Sequence, residues 1–297
     1  MRLLVIGALL CAAPLAQAQQ DDLSKVTITT RKVAEGVYAL EGAGGNIGVS
    51  VGADGVMVID DQFAELTPKI QAAIAKLSPK PIRFVVNTHW HGDHTGGNQN
   101  MAAAGAVIVA HDNVRTRLST TQFSKRMNKE VPPSPPGALP IVTFTTDVTF
   151  HFNGDDIAVF HPADPAHTDG DGVVWFKKAN VVHMGDTFMT WSFPFADVGS
   201  GGNFLGFIAV ADRVLAMIDA KTVVIPGHGA ISNKAGLKKW RDMLVTIRDR
   251  VKKGIDAGQT LEQIQKTRPT KEFDKAWGVK FIQPAQIVEA AYTALKP

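Results

Sequence analysis

Apolar positions along this chain recur with two periods, and the two alternate. Short β-branched runs come first. Val26 to Thr30, Val37 to Leu40 and Gly55 to Asp60 read as strands separated by glycine turns. Thr67 to Leu77 has helical apolar spacing behind a Thr-Pro start. Ile82 to Asn87 reads as a buried strand and runs almost directly into His89, Asn98 to Ala104 as a short helix, and Ala106 to Ala110 as another strand. Residues 120–140 break the pattern. They are polar and then carry Pro132, Pro133, Pro135, Pro136 and Pro140, which predicts a long irregular connection of the kind that is often functional in compact domains. Strands return at Val142 to Phe152 (read as one continuous run), Ile157 to Phe160, Val173 to Phe176, Val181 to Met184 and Thr222 to Ile225. Asn203 to Ile218 and Lys234 to Lys253 read as helices, and the C-terminal segment adds one or two short ones. The order predicts an α/β protein with two sheets, each covered outside by helices. No fixed-period repeat and no inter-domain linker is visible.

Composition narrows the function classes. In 297 residues, 45% are hydrophobic, 20% are charged and the net charge is +3, with no Lys/Arg block. A mixed, solvated surface fits these values and nucleic-acid binding does not. The N-terminus differs in kind. Met1-Arg2 is a basic start, Leu3 to Leu15 is almost wholly apolar, and Ala16-Gln17-Ala18 offers small residues for cleavage. This is the pattern of a secretory signal peptide, residues 1–18, and the run is too short to span a bilayer. The expectation is a periplasmic or secreted protein, free of the membrane after cleavage, with one domain over residues 19–297. The single cysteine, Cys11, lies inside the signal. The mature chain can therefore form no disulfide and offers no thiolate to a metal.

His and Asp gather where strands end. His89-Trp90-His91-Gly92-Asp93-His94 packs three of the nine histidines and an aspartate into six residues. A strand exit projects alternate residues to one side, so His89 and His91 point the same way, and Gly92 allows the turn that brings Asp93 and His94 round. Imidazole and carboxylate are ligands that zinc accepts. Similar placements recur at His167 in Ala166-His167-Thr168-Asp169, at Asp186 in Gly185-Asp186-Thr187, and at His228 in Gly227-His228-Gly229. Each is weak alone, but together and in order they are not independent accidents. Asp60 follows the run ending at Ile59. It either simply ends a strand or orients a metal-bound histidine.

These motifs, in this order over residues 30–230, resemble the metallo-β-lactamase superfamily. The resemblance implies a four-layer αββα sandwich with metals at one edge of the sheets. It implies that His89, His91 and His167 hold one zinc, that Asp93, His94 and His228 hold a second, and that Asp186 bridges them. Iron or manganese suits the same donors. It further implies a hydrolase in which activated water attacks a carbonyl, with Asp93 also serving catalysis by orienting that water or relaying a proton. The missing cysteine excludes the branch that carries Cys where this chain has Asp186. The sequence leads to β-lactam hydrolysis, with a lactonase, esterase or thioesterase as the alternative and a non-catalytic metal-binding partner of a quinoprotein system as a third reading. The expected partner is a small-molecule substrate. Trp90, Trp191, Phe193 and Phe195 are expected to line its pocket, and no substrate-gripping cation follows Asp186.

Overall fold

A computed structural model describes residues 22–296. The expected signal segment lies outside the described residues. Six strands in chain order begin the first sheet: β1 (Thr29–Ala34), β2 (Val37–Glu41), β3 (Ile47–Gly52), β4 (Gly55–Ile59), β5 (Ile82–Val86) and β6 (Val107–His111). A separate hairpin follows, β7 (Gln122–Ser124) and β8 (Lys129–Val131), and β9 (Val142–Phe144) then joins the first sheet beside β6. The second sheet runs β10 (Asp147–Phe152), β11 (Asp155–Phe160), β12 (Val173–Phe176), β13 (Val181–His183), β14 (Val223–Ile225) and β15 (Ser232–Asn233). The helices are α1 (Thr67–Ala75), α2 (Gly92–Thr95), α3 (Asn98–Ala103), α4 (Asp112–Leu118), α5 (Phe204–Met217), α6 (Lys234–Asp256), α7 (Leu261–Lys266), α8 (Asp274–Trp277) and α9 (Pro284–Leu295).

The alternation of side chains along each strand sorts the core into three layers. In β4, Met57 and Ile59 face the second sheet, while Val56 and Val58 face outward onto Ile70 and Ile74 of α1. In the second sheet Val174, Phe176 and Val181 meet the first sheet. Val173 and Val182 face outward onto Phe207 and Val214 of α5 and Trp240 and Leu244 of α6. Fully burying one such aliphatic or aromatic side chain stabilises the fold by roughly 1.5–3 kcal/mol. The result is the expected αββα sandwich.

Several local expectations are corrected. Val142 to Phe152 is two strands, not one. The chain leaves the first sheet after Phe144 and enters the second at Asp147, so one apolar run serves both layers. β1 starts at Thr29 rather than Val26. The connection over residues 120–140 is not wholly irregular, since Gln122 to Val131 pair as the β7–β8 hairpin. β3 and α4 were missed, because glycines and charges interrupt their patterns.

Topology then assembles the site. β4 and β5 are parallel, and so are β13 and β14. β11 and β13 are both antiparallel to β12, so they too run the same way. The C-terminal ends of β4, β5, β11, β13 and β14 therefore open on one edge of the sandwich, and the chemistry-bearing residues follow those ends.

Candidate metal centre

Asp60 follows β4 with a left-handed backbone, φ 62°. A non-glycine residue there carries strain of roughly 1–3 kcal/mol, held by the surrounding contacts. The turn aims the Asp60 carboxylate at the exit of β5. Its Oδ1 accepts from Thr88 N at 2.7 Å, and its Oδ2 accepts from Thr88 Oγ1 at 2.7 Å and from His94 Nδ1 at 2.8 Å. The Thr88 hydroxyl, donating to Asp60, accepts from His89 Nδ1 at 3.0 Å. One buried carboxylate thus fixes two imidazoles. Asp60 does more than end a strand: it holds His94 directly and His89 through Thr88.

His91 and His167 are fixed in the same manner. His91 donates from Nε2 to Asp197 Oδ2 at 3.0 Å, and Ser200 Oγ donates to the same oxygen at 2.6 Å. His167 donates from Nδ1 to the Phe195 carbonyl at 2.6 Å, and its backbone N–H is held by Asp171 Oδ2 at 2.7 Å. The outer nitrogens of His89, His91 and His167 are committed donors, which leaves their inner nitrogens to face the centre.

Those inner atoms converge in two groups. His89, His91 and His167 form one and Asp93, His94 and His228 the other, with ligand atoms within 4.8 Å of one another in each. Asp186 stands between them. Its Oδ1 lies 3.3 Å from His94 Nε2 and 3.4 Å from His228 Nε2, and its Oδ2 lies 3.5 Å from His167 Nε2. His89 Nε2 and Asp186 Oδ1 are buried with no hydrogen-bond partner. Orphaned buried donors and acceptors of this kind are costly unless something binds them. The close approach at this edge requires glycine: a Cβ on Gly227 would collide with Asp186, and one on Gly185 (φ 50°) with Thr88. The donor set fits borderline metal ions such as zinc, which accept imidazole nitrogen and carboxylate oxygen.

Electrostatics separates the groups. Burial pushes His89 down and His167 down to about 4, so these two are neutral imidazoles near neutral pH. Burial would also depress His94 and His228, but the carboxylates outweigh it. Asp186, Asp93 and Asp60 hold His94 well up, and Asp186 with Asp93 holds His228 up to about 9. Burial opposes the charge of Asp93 and Asp186 in turn, yet the neighbouring histidines keep both carboxylates below their ordinary range. The second group is a site that demands positive charge.

Above the groups opens a cleft of about 540 Å³. Trp191 and Phe195 line it as expected, together with Phe63, Met189, Phe281 and the β7–β8 hairpin. Phe193 does not. It is fully buried in the core, and its N–H donates to the Trp277 carbonyl at 2.9 Å. Alternate residues of an extended segment face opposite ways, so Trp191 and Phe195 reach the cleft and Phe193 points away. Trp90 lines the cleft as well, though it is largely buried. It is 7% exposed, packs on Val114 and Leu118, and donates from Nε1 to Ser200 Oγ at 3.2 Å. Asp197, Thr88 and Phe281 were missed. Nothing local marks them, because each earns its role only from a segment distant in sequence.

Comparison with known proteins decides the family. The model of the "Metallo-beta-lactamase superfamily" matches residues 42–228. The chain belongs to the metallo-beta-lactamase superfamily. Among curated relatives it is 25% identical over 193 residues to the "Metallo-beta-lactamase type 2" of Bacillus cereus, covering 64% of this chain and 69% of that one. It is 28% identical over 177 residues to the "Hydroxyacylglutathione hydrolase" of Rhodospirillum rubrum, covering 58% and 56%. Two solved structures share the fold. The sec-alkylsulfatase Pisa1 from Pseudomonas sp. has a TM-score of 0.69 at 15% identity, with 90% of this chain and 50% of that chain covered. The DIM-1 metallo-beta-lactamase has a TM-score of 0.58 at 21% identity, with 75% and 99% covered. The match thus spans only about half of the hydrolase and of the alkylsulfatase. Membership and the histidine-rich potential metal site make this chain a superfamily hydrolase. The named neighbours act on chemically different substrates, so membership alone does not choose among them.

Proposed function

We propose that this chain is an exported hydrolase that holds two zinc ions and opens the cyclic amide of β-lactams. Asp186 carries the two-metal reading, since it offers one oxygen to each ligand group. Zinc bound there would supply hydroxide as nucleophile at neutral pH and a Lewis acid for the carbonyl. The chain's own residues do the rest. Asp60 holds His94 directly and His89 through Thr88, Asp197 holds His91 and the Phe195 carbonyl holds His167, so each would present its other ring nitrogen to a metal, with His228 completing the set. Asp93 is partly exposed at the cleft floor, where its Oδ2 lies 3.2 Å from His228 Nε2, and it is placed to take a proton and pass it to the leaving group. Trp191, Phe195 and Phe281 exclude water from one face of the substrate and bind its apolar body.

The aromatic cleft directly above the ligands and the similarity to the Bacillus cereus enzyme support β-lactams. Asp186 as a bridge and the similarity to a hydroxyacylglutathione hydrolase favour a second reading, ester or thioester hydrolysis. Purified, zinc-loaded protein should hydrolyse nitrocefin, lose that activity to a chelator and regain it with zinc, with two zincs per chain by elemental analysis. Turnover of thioesters or lactones with none of any β-lactam would overturn the first reading and leave the second standing. The apolar N-terminal run supports export. No helix among the described residues is long and apolar enough to cross a membrane. Mass spectrometry of the protein from a periplasmic fraction should find the chain starting after Ala18.

A further inference from the structure

The sequence shows no cation after Asp186 to hold a charged substrate, but the fold brings one in from elsewhere. Arg126 sits in the turn between β7 and β8 and lines the cleft. Its guanidinium lies 3.8 Å from the centroid of the Phe281 ring and 5.5 Å from that of Phe195. Phe195 in turn stacks on His91, with ring centroids 6.3 Å apart and planes 19° apart. The cation is thus seated on aromatic rings that reach down to a metal-ligand histidine. Among the described residues it takes part in no ion pair and no hydrogen bond. Asp93, Asp186 and Asp197 of the cleft are engaged by histidines, and Glu130, the other carboxylate of its lining, makes no ion pair with Arg126. Stacking occupies the flat face of a guanidinium and leaves its N–H edge free, which is the geometry that grips a carboxylate with two parallel hydrogen bonds. Lys129 also lines the cleft but presents only a point charge.

We propose that Arg126 determines specificity by binding a carboxylate carried by the substrate beyond the bond that is cleaved. Hydrophobic residues around the mouth complete the picture. Phe63 and Met189 line the cleft, and Met127 on the same turn as Arg126 lines it and is 55% exposed. The favoured substrate is therefore an anionic acyl compound with an apolar body. This rests on the reading of the cleft as the hydrolytic site.

The test uses matched pairs on the zinc-loaded full chain: nitrocefin against its methyl ester, and mono-p-nitrophenyl glutarate against p-nitrophenyl butyrate. Wild type should prefer the anionic member of each pair. In Arg126→Ala the ratio of kcat/KM, anionic over neutral, should fall at least about tenfold, mainly through KM, as expected for a lost bidentate ionic contact. Arg126→Lys should keep part of the preference, and Phe281→Leu, which removes the seat, should lose part of it. An unchanged ratio, or an equal loss for both members, overturns the proposal. If only the aryl esters turn over, β-lactam hydrolysis fails while Arg126 is still decided. If nothing turns over, tryptophan fluorescence titration decides it. Hydrocinnamate should bind more tightly than hydrocinnamamide, and Arg126→Ala should abolish that difference; equal affinities in wild type sink the idea.

Discussion

The two ligand groups lie side by side yet are built on opposite electrostatic plans. His89, His91 and His167 are each oriented by a separate partner, the Thr88 hydroxyl, the Asp197 carboxylate and the Phe195 carbonyl, and burial keeps His89 and His167 neutral. Asp93, His94 and His228 sit among carboxylates that draw protons onto both histidines. The first group is ready for a metal as it stands. The second must release protons first, because a ligating imidazole has to be neutral on the coordinating side. The two candidate sites on either side of Asp186 are therefore expected to differ in how they respond to pH.

Removing the shared residue should cost most. Asp186→Ala takes an oxygen from both groups, and kcat/KM should fall by about 10²–10³ or more, the scale of losing a fixed electrostatic element. Elemental analysis should show metal lost from both groups; loss from one alone would show that Asp186 is not a bridge. Next comes pH. His228 is held up to about 9, so below pH 9 the proton competes with the metal. Affinity of the second group should fall by up to about tenfold per unit through His228 alone as pH drops from 9 to 7, and more steeply with the proton on His94 added. His167, down to about 4, stays neutral through that window, so the first group should bind with little pH dependence. Competition titrations with a chromophoric chelator at several pH values would measure both slopes, and parallel slopes would erase the distinction. Asp60→Ala should weaken both groups by about 10–100-fold, since His94 leans on it directly and His89 through Thr88. The smallest change is Asp197→Ala, about tenfold and confined to the first group, with the second group's affinity unmoved.

The legibility of these features in the sequence divides along the same line. All seven candidate ligand residues stand in short motifs in the connections that follow strands, where chemistry forces a recognisable residue type into a recognisable place. Asp60 was legible as a candidate but not as a decision, since an aspartate at a strand end has two ordinary uses. Asp197 left no signal, because a lone Asp between Ala196 and Val198 becomes a partner of His91 only when a segment 106 residues away folds beside it. The aromatic run at 191–195 misled for a related reason. Its composition suggested one pocket wall, but its extended backbone sends Phe193 into the core and its neighbours into the cleft.

By itself the sequence determined the αββα layering and the metal-binding chemistry. Side-chain periodicity sets which faces are buried, and few residue types can ligate a metal. Tertiary structure alone decided which imidazole nitrogen faces inward, which group is neutral and which charged, and that Arg126 reaches the cleft. Those properties depend on distance and burial between segments far apart in the chain, and neither quantity is written in the local pattern.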